Sequence, residues 1–312
     1  MQQEMEYILR IYQEKSFSKA AEKLFLTQPA LSMAVRKVED QLGMPVFDRS
    51  ARPLALTEAG QIYMDYIRQT MDLEQQTMQR MQDIRSLNTG ALRLGGSHYL
   101  TAYILPKLLT GFSAQYPNIR IDLVESSSSM LSEMLARKEL DLTFHCNEKF
   151  VAEYPHFPAF RDHILLAVPE SWSINRELAD LSLSAEDVLS GKHLSPDCPV
   201  VPLSRFQNLE YILLSPGNNL HERSAQLFLE AGFSPRVKLQ LSQLVTAYHL
   251  SAAALGATFV SDRLVRPQDT GLRFYALDSA RTTRDFYMLL PKRHYTSLAV
   301  RAFINYFGAY FS

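Results

Sequence analysis

Residues 61–88 contain neither glycine nor proline. With the turn signals before them, they predict one continuous helix from Glu58 to Asn88. At about 1.5 Å per residue such a helix is roughly 46 Å long. That exceeds what one small domain can bury, so the helix must leave its domain and find a partner. It therefore divides the chain into an N-terminal module (1–57), a linker helix (58–88) and a C-terminal region (90–312). One stripe of the helix reads Met64, Ile67, Met71, Glu74, Met78 and Met81. The alternating spacing of three and four residues is that of a coiled-coil seam. Met64, Ile67, Met71, Met78 and Met81 are thus the expected dimerisation residues. The competing expectation is a helix packed on its own domain. Methionine packs adaptably but specifies geometry weakly.

Composition narrows the class. The 312 residues are 46% hydrophobic and 21% charged, with a net charge of -1. This is ordinary globular composition and excludes disordered and fibrous chains. No global positive field advertises nucleic acid, so any such surface must be local. Two cysteines, Cys146 and Cys198, make no disulfide framework and suit a reducing compartment. The start MQQEMEYILR shows no basic-then-apolar leader. The most apolar stretch, Leu244 to Val260, is interrupted by Thr246, Tyr248, His249, Ser251 and Thr258. A membrane span needs about 20 largely apolar residues. A soluble, cytoplasmic protein without membrane contact is expected.

The segment Ser16 to Gly60 carries the most specific pattern. Ser18 is placed to cap a short helix over Lys19 to Leu24, with Ala20, Ala21 and Leu24 on one apolar face. Phe25-Leu26 forms a turn. Thr27 caps a second helix, with Pro29 in its first turn, where a missing N–H costs nothing. This helix runs to about Leu42 and stops at Gly43. Leu31, Val35, Val38 and Leu42 point inward; Gln28, Ser32, Met33, Arg36 and Lys37 point outward. Two capped helices joined by a tight turn, the second basic on its free face, form a helix-turn-helix. A short hairpin from Val46-Phe47 to Leu54-Leu56 follows, with Arg49 and Arg52 at its tip as a wing. Between Lys15 and Ala55, seven basic residues oppose four acidic ones, a local net charge of +3. Positive charge thus concentrates where a phosphate backbone would lie.

Ala20-Ala21, Leu24, Thr27-Gln28-Pro29-Ala30-Leu31-Ser32, Val38-Glu39, Leu42-Gly43, Phe47-Asp48-Arg49 and Leu56-Thr57-Glu58-Ala59-Gly60 together resemble the winged helix-turn-helix of LysR-type transcriptional regulators. The resemblance extends over the whole chain. It implies an α/β protein with a winged helix-turn-helix, a linker helix and a two-lobed, Rossmann-like (periplasmic-binding-protein-like) effector domain. It also implies homodimers assembled into homotetramers on double-stranded DNA, with a small-molecule effector altering the bend. DNA contacts implied by position are Ser18, Thr27, Gln28, Pro29, Ser32, Met33, Arg36 and Lys37, with Arg49 and Arg52 in the wing. Met33 and Ala34 depart from the polar residues that many relatives carry there. Neither makes bidentate bonds to base edges, though Met33 could touch a thymine methyl.

The C-terminal region alternates strands and helices. Ala91–Ser97, Ile119–Val124 and Leu140–Phe144 are expected strands around helices Tyr103–Tyr116 and Met130–Lys138, a parallel β-α-β-α-β order. A second lobe starts near Ile164, giving subdomain I as 90–161 with 267–312 and subdomain II as 162–266. Residues 169–216 hold five prolines and are expected as a surface excursion or lid. Ligands in two-lobed α/β domains sit at strand C-terminal ends, against helix N-termini. That selects Ser97, His98, Tyr99, the run Ser126–Ser129, Ser215 and Leu244–Thr246. Hydroxyls and free N–H groups there suit a carboxylate or other anion. By resemblance, Tyr99, Ser128 and Thr246 match effector-binding positions. Bulky Tyr99 stands where small hydroxyl residues are common, implying a smaller or more aromatic pocket. Ser127 completes the expected set; the competing role for these serines is helix capping.

Enzyme chemistry has no support: no GxSxG, GxGxxG or phosphate-loop pattern occurs. The eight histidines show no i, i+4 pair, and adjacent His145-Cys146 is poor metal spacing. No cofactor and no metal are expected. The second cysteine that peroxide-sensing relatives place nearby is missing, which argues against a redox switch at Cys146.

Overall fold

The computed structural model describes residues 2–85 and 90–311. They divide into two compact units, residues 1–81 and 82–312.

The first unit contains α1 (Gln2–Glu14), α2 (Phe17–Lys23), α3 (Gln28–Leu42) and most of α4 (Glu58–Arg85). The strands β1 (Phe47–Asp48) and β2 (Ala55–Leu56) pair antiparallel as the wing. Its core joins Met5, Ile8 and Ile11 of α1, Ala20 and Ala21 of α2, and Leu31, Val35 and Val38 of α3 with Met64 and Ile67 of α4. Full burial of each large side chain contributes about 1.5–3 kcal/mol to holding these helices together. Two glycines fix the unit's geometry. Gly43 ends α3 at φ 70°, the left-handed region. Gly60 sits against Val46, where an added Cβ would lie 1.9 Å from the carbonyl oxygen.

Three expectations for this unit need correction. Ser16, not Ser18, caps α2: its extended backbone lets the hydroxyl accept from the Lys19 N–H at 3.4 Å. Leu42 is exposed, because α3 outruns the core by its last turn. Met64 and Ile67 are fully buried in their own domain, so this part of the seam is domain core. Met71, Met78 and Met81 remain exposed on α4. The helix is described to Arg85; residues 86–88 lie outside the described residues.

The second unit is two-lobed. In the first lobe β3 (Gly90–Gly96) and β4 (Ile119–Glu125) pair in parallel, and Leu94 bridges to Leu142 in parallel, just before β5 (Thr143–His145). The 14-residue β6 (His156–Pro169) then crosses to the second lobe. Its first half pairs antiparallel with β12 (Thr283–Leu289), which also pairs with β5. Its second half pairs with β10 (Thr258–Ser261) and β11 (Leu272–Leu277). The second lobe also holds β7 (Val200–Val201), and β8 (Glu210–Leu214) paired in parallel with β9 (Arg236–Leu241). Because β11 belongs to this sheet, the chain returns to the first lobe after Leu277 rather than at residue 267.

The 169–216 segment is not a lid. Its β7 joins β11, its end forms β8, and Leu183, Val188, Val201 and Phe206 are buried. Ser184 and Asp187 close a reciprocal capping box on the short helix Ala185–Leu189. Prolines punctuate this segment, but the apolar residues between them pack it down.

Candidate DNA surface and interlobe cleft

In the N-terminal unit, Thr27 caps α3 through the Ala30 N–H, with Pro29 in the first turn. Gln28 Nε2 donates to Ser32 Oγ at 2.9 Å, which aligns both polar groups on one face. Met33 beside them is 69% exposed. The basic groups divide by engagement. Lys37 Nζ lies 3.2 Å from Glu4 Oε1, and Arg49 Nη2 lies 3.1 Å from Glu39 Oε2 with its guanidinium over the Phe17 ring. Arg36 and Arg52 are exposed and form no ion pair with the described residues. Exposed ion pairs contribute about 0–1 kcal/mol, so a phosphate can displace them readily. Glu39 was missed as a functional residue. Its Oε1 accepts from the N–H groups of Val46 at 2.9 Å and Phe47 at 3.4 Å, tying the base of the wing to α3.

In the second unit a cavity of about 240 Å³ lies between the lobes. Ser97, His98, Tyr99, Ser127, Ser128 and Ser215 all line it. Thr246 does not: it is exposed and donates to Gln243 Oε1 at 3.3 Å, so Gln243 and Leu244 face the cavity in its place. Ser127 caps the helix Ser128–Ala136 by accepting from the Met130 N–H at 3.3 Å, as the capping alternative holds. Ser128 is therefore the first helical residue. Two further helices start at the cavity, Asn219–Glu230 and Leu244–Ala252, and neither has a side-chain cap. Asn218 instead donates to the Ser242 carbonyl at 2.9 Å. Uncapped first-turn N–H groups retain their need for an acceptor.

The cavity floor holds a buried network that sequence reading did not find. Arg284 Nε donates to Asp162 Oδ1 at 2.8 Å, and its Nη2 donates to Oδ2. Ser261 Oγ donates to Asp162 Oδ2 at 2.7 Å, and the Tyr99 hydroxyl lies 2.8 Å from Ser261 Oγ. The Arg284 charge is thus neutralised locally. Burial, reinforced by Asp162, pushes the Tyr99 phenol well up, so it stays protonated. Burial lowers His145 to about 4 and raises the Cys146 thiol to about 12. Both are neutral at pH 7, and a protonated thiol is a poor nucleophile. His98 Nδ1 lies 3.0 Å from Glu125 Oε1, and Thr101 also donates to that carboxylate. These hydrogen bonds, Thr101 first, hold Glu125 below the usual carboxylate range. The helical stretch at the cavity opens with a π-turn over Leu100–Ile104, immediately after Tyr99, rather than at Tyr103. Such turns are frequent at functional sites.

This architecture matches known proteins along its length. The family described as bacterial regulatory helix-turn-helix protein, lysR family, matches residues 2–61, and the LysR substrate binding domain matches residues 85–312. The chain belongs to the LysR family of transcriptional regulators. It is 32% identical over 309 residues to the uncharacterized HTH-type transcriptional regulator YcgK of Bacillus subtilis (strain 168), covering 96% of this chain and 92% of that one. It is 27% identical to a probable RuBisCO transcriptional regulator of Emiliania huxleyi, covering 94% and 90%. Full-length CbnR in complex with its target DNA has the same fold, with a TM-score of 0.65 at 18% identity over 99% of both chains. The effector binding domain of QuiR in complex with shikimate matches with a TM-score of 0.56 at 16% identity, over 72% of this chain and 97% of that one. This LysR-type regulator is thus a DNA-binding transcriptional regulator with an effector-binding domain. No helix among its described residues is long and apolar enough to cross a membrane.

Proposed function

We propose that this regulator binds double-stranded DNA as a cytoplasmic homo-oligomer and responds to a small anionic effector held between the two lobes of residues 90–312. It carries out no catalysis. Gln28, Pro29, Ser32, Met33 and Arg36 enter the major groove, and Thr27, Lys37, Arg49 and Arg52 meet phosphates, with Ser18 beside them. Met71, Met78 and Met81 on the linker helix pair two chains, and the paired dimers form a tetramer.

The observation that carries the effector reading is the pair of uncapped helix N-termini at Asn218 and Gln243 facing a cavity with no unpaired Lys or Arg among its lining residues. Main-chain N–H groups and hydroxyls, Ser128 Oγ foremost, then supply the anion contacts, a role suited to a carboxylate. QuiR's shikimate, a small carboxylate, is consistent with this size and charge class. The test is a thermal-shift screen of small carboxylates against their uncharged amides. A carboxylate at 100 times its dissociation constant should stabilise by about 2.7 kcal/mol, and Ser128→Ala should remove the shift while DNA binding persists. Equal shifts from acids and amides would refute the anion reading. Binding and response unchanged in Ser128→Ala would refute the assignment of that hydroxyl.

A further inference from the structure

We propose that His163, His193 and Asp262 form a binding site for a divalent transition-metal ion of the zinc class, at the crossing between the two lobes. The three residues come from β6, from the short 3-10 turn Lys192–Leu194, and from the turn that follows β10. Their donor atoms all lie within 4.8 Å of one another. His193 Nε2 is 3.0 Å and His163 Nδ1 is 3.3 Å from the same oxygen, Asp262 Oδ2.

The donor set fits the ion. Two imidazole nitrogens and a carboxylate oxygen are the ligands of three-protein-ligand zinc sites, which keep a fourth position open. Bonds of about 2.0–2.2 Å at tetrahedral angles put donors roughly 3.3–3.6 Å apart. Two of the three separations are already close to that, and the third, between the two imidazole donors, is within 4.8 Å. His193 Nδ1 is buried with no partner among the described residues, so no hydrogen bond from them resists a small ring movement on that side. The carboxylate is already oriented towards the imidazoles. Its Oδ1 accepts from the N–H groups of His163 at 3.0 Å and Arg263 at 2.9 Å, leaving Oδ2 to the two rings. Hydrogen-bonded ligating carboxylates are the rule at metal sites. Charge also fits. Asp262 has no Lys or Arg partner among the described residues, so with neutral imidazoles the triad carries one negative charge. His193 and Asp262 side chains are 4% and 11% exposed, whereas His163 is 27% exposed, which gives an ion an entry side. Because His193 Nδ1 has no outer partner among the described residues, the site should bind about 10–100-fold more weakly than one whose imidazoles are all anchored.

The experiment uses the full chain without a polyhistidine tag, stripped with chelator and titrated with Co²⁺ and Zn²⁺. The expected result is one equivalent of Co²⁺ with a visible d–d band, displaced by Zn²⁺. His163→Ala and His193→Ala should each weaken binding by at least tenfold. His98→Ala, which removes the other partly exposed histidine–carboxylate pair, should leave it unchanged. Circular dichroism establishes that each variant is folded; the more exposed His163 decides the matter if His193→Ala does not fold. No stoichiometric Co²⁺ binding, or equal binding by His163→Ala and the parent protein, would overturn the proposal.

Discussion

Replacing Asp162 by Asn tests the cleft floor most sharply. Asp162 is fully buried and accepts from Arg284 twice and from Ser261. Asn keeps the shape but removes the charge and turns one acceptor into a donor facing the guanidinium. Arg284, itself 3% exposed, would then be a buried cation without a counter-ion. Removing one partner of a buried ion pair costs about 3–5 kcal/mol. For a domain of this size, roughly 2–4 °C of melting temperature goes with each kcal/mol, so the expected loss is roughly 6–20 °C. The protein has one tryptophan, and Trp172 lies in the second lobe, so its fluorescence follows effector-domain unfolding specifically. The double variant Asp162→Asn with Arg284→Met should recover much of the loss, because no unpaired charge remains. A melting temperature within about 2 °C of the parent, less than 1 kcal/mol by the same scaling, would mean that water reaches Arg284, and the closed floor would be refuted.

Arg52→Ala should weaken binding to all DNA sequences and flatten the salt dependence by about 0.9 in slope; an unchanged slope in anisotropy titrations removes Arg52 from the phosphate contacts. Gly60→Ala drives a methyl into the Val46 carbonyl, 1.9 Å away, and should abolish DNA binding while the Trp172 transition stays unchanged. Acid should destabilise the effector domain through His145. The unfolded chain takes up a proton near the ordinary 6.5 that the native ring refuses until about 4, so this stability is present above pH 6.5 and is lost as pH falls towards 4. His145→Phe should flatten that dependence in urea melts. Cys198, half-exposed, should alkylate well before buried Cys146 at pH 8, read by mass spectrometry.

Local chemistry was the legible part. Thr27, Pro29 and Gly43 marked the ends of α3 because caps and breakers act within one turn. Most of the cleft rim was legible too, since strand ends and helix starts follow from β-α order. Long-range polar partners were not. Asp162 and Arg284 stand 122 positions apart, and His193 stands 69 from Asp262, so no spacing rule joins them. A search for histidines at i, i+4 could not see a triad assembled from three elements. Met64 and Ile67 misled differently. A heptad pattern records which residues avoid water but not what covers them, and Met64 and Ile67 were covered by α1 to α3. The 169–216 segment misled because proline content signals turns, not mobility.

In the function proposed above, effector binding in the interlobe cleft controls DNA binding by the N-terminal unit. Fluorescence anisotropy tests it, with the full chain titrated against DNA from upstream of its own gene and against scrambled DNA. Two salt concentrations are used, with and without the carboxylate found by thermal shift. The expected result is tight, salt-sensitive binding that prefers the native fragment, with an affinity or a salt slope that the carboxylate changes. Equal binding to both DNAs, untouched by any carboxylate that binds the protein, would contradict it.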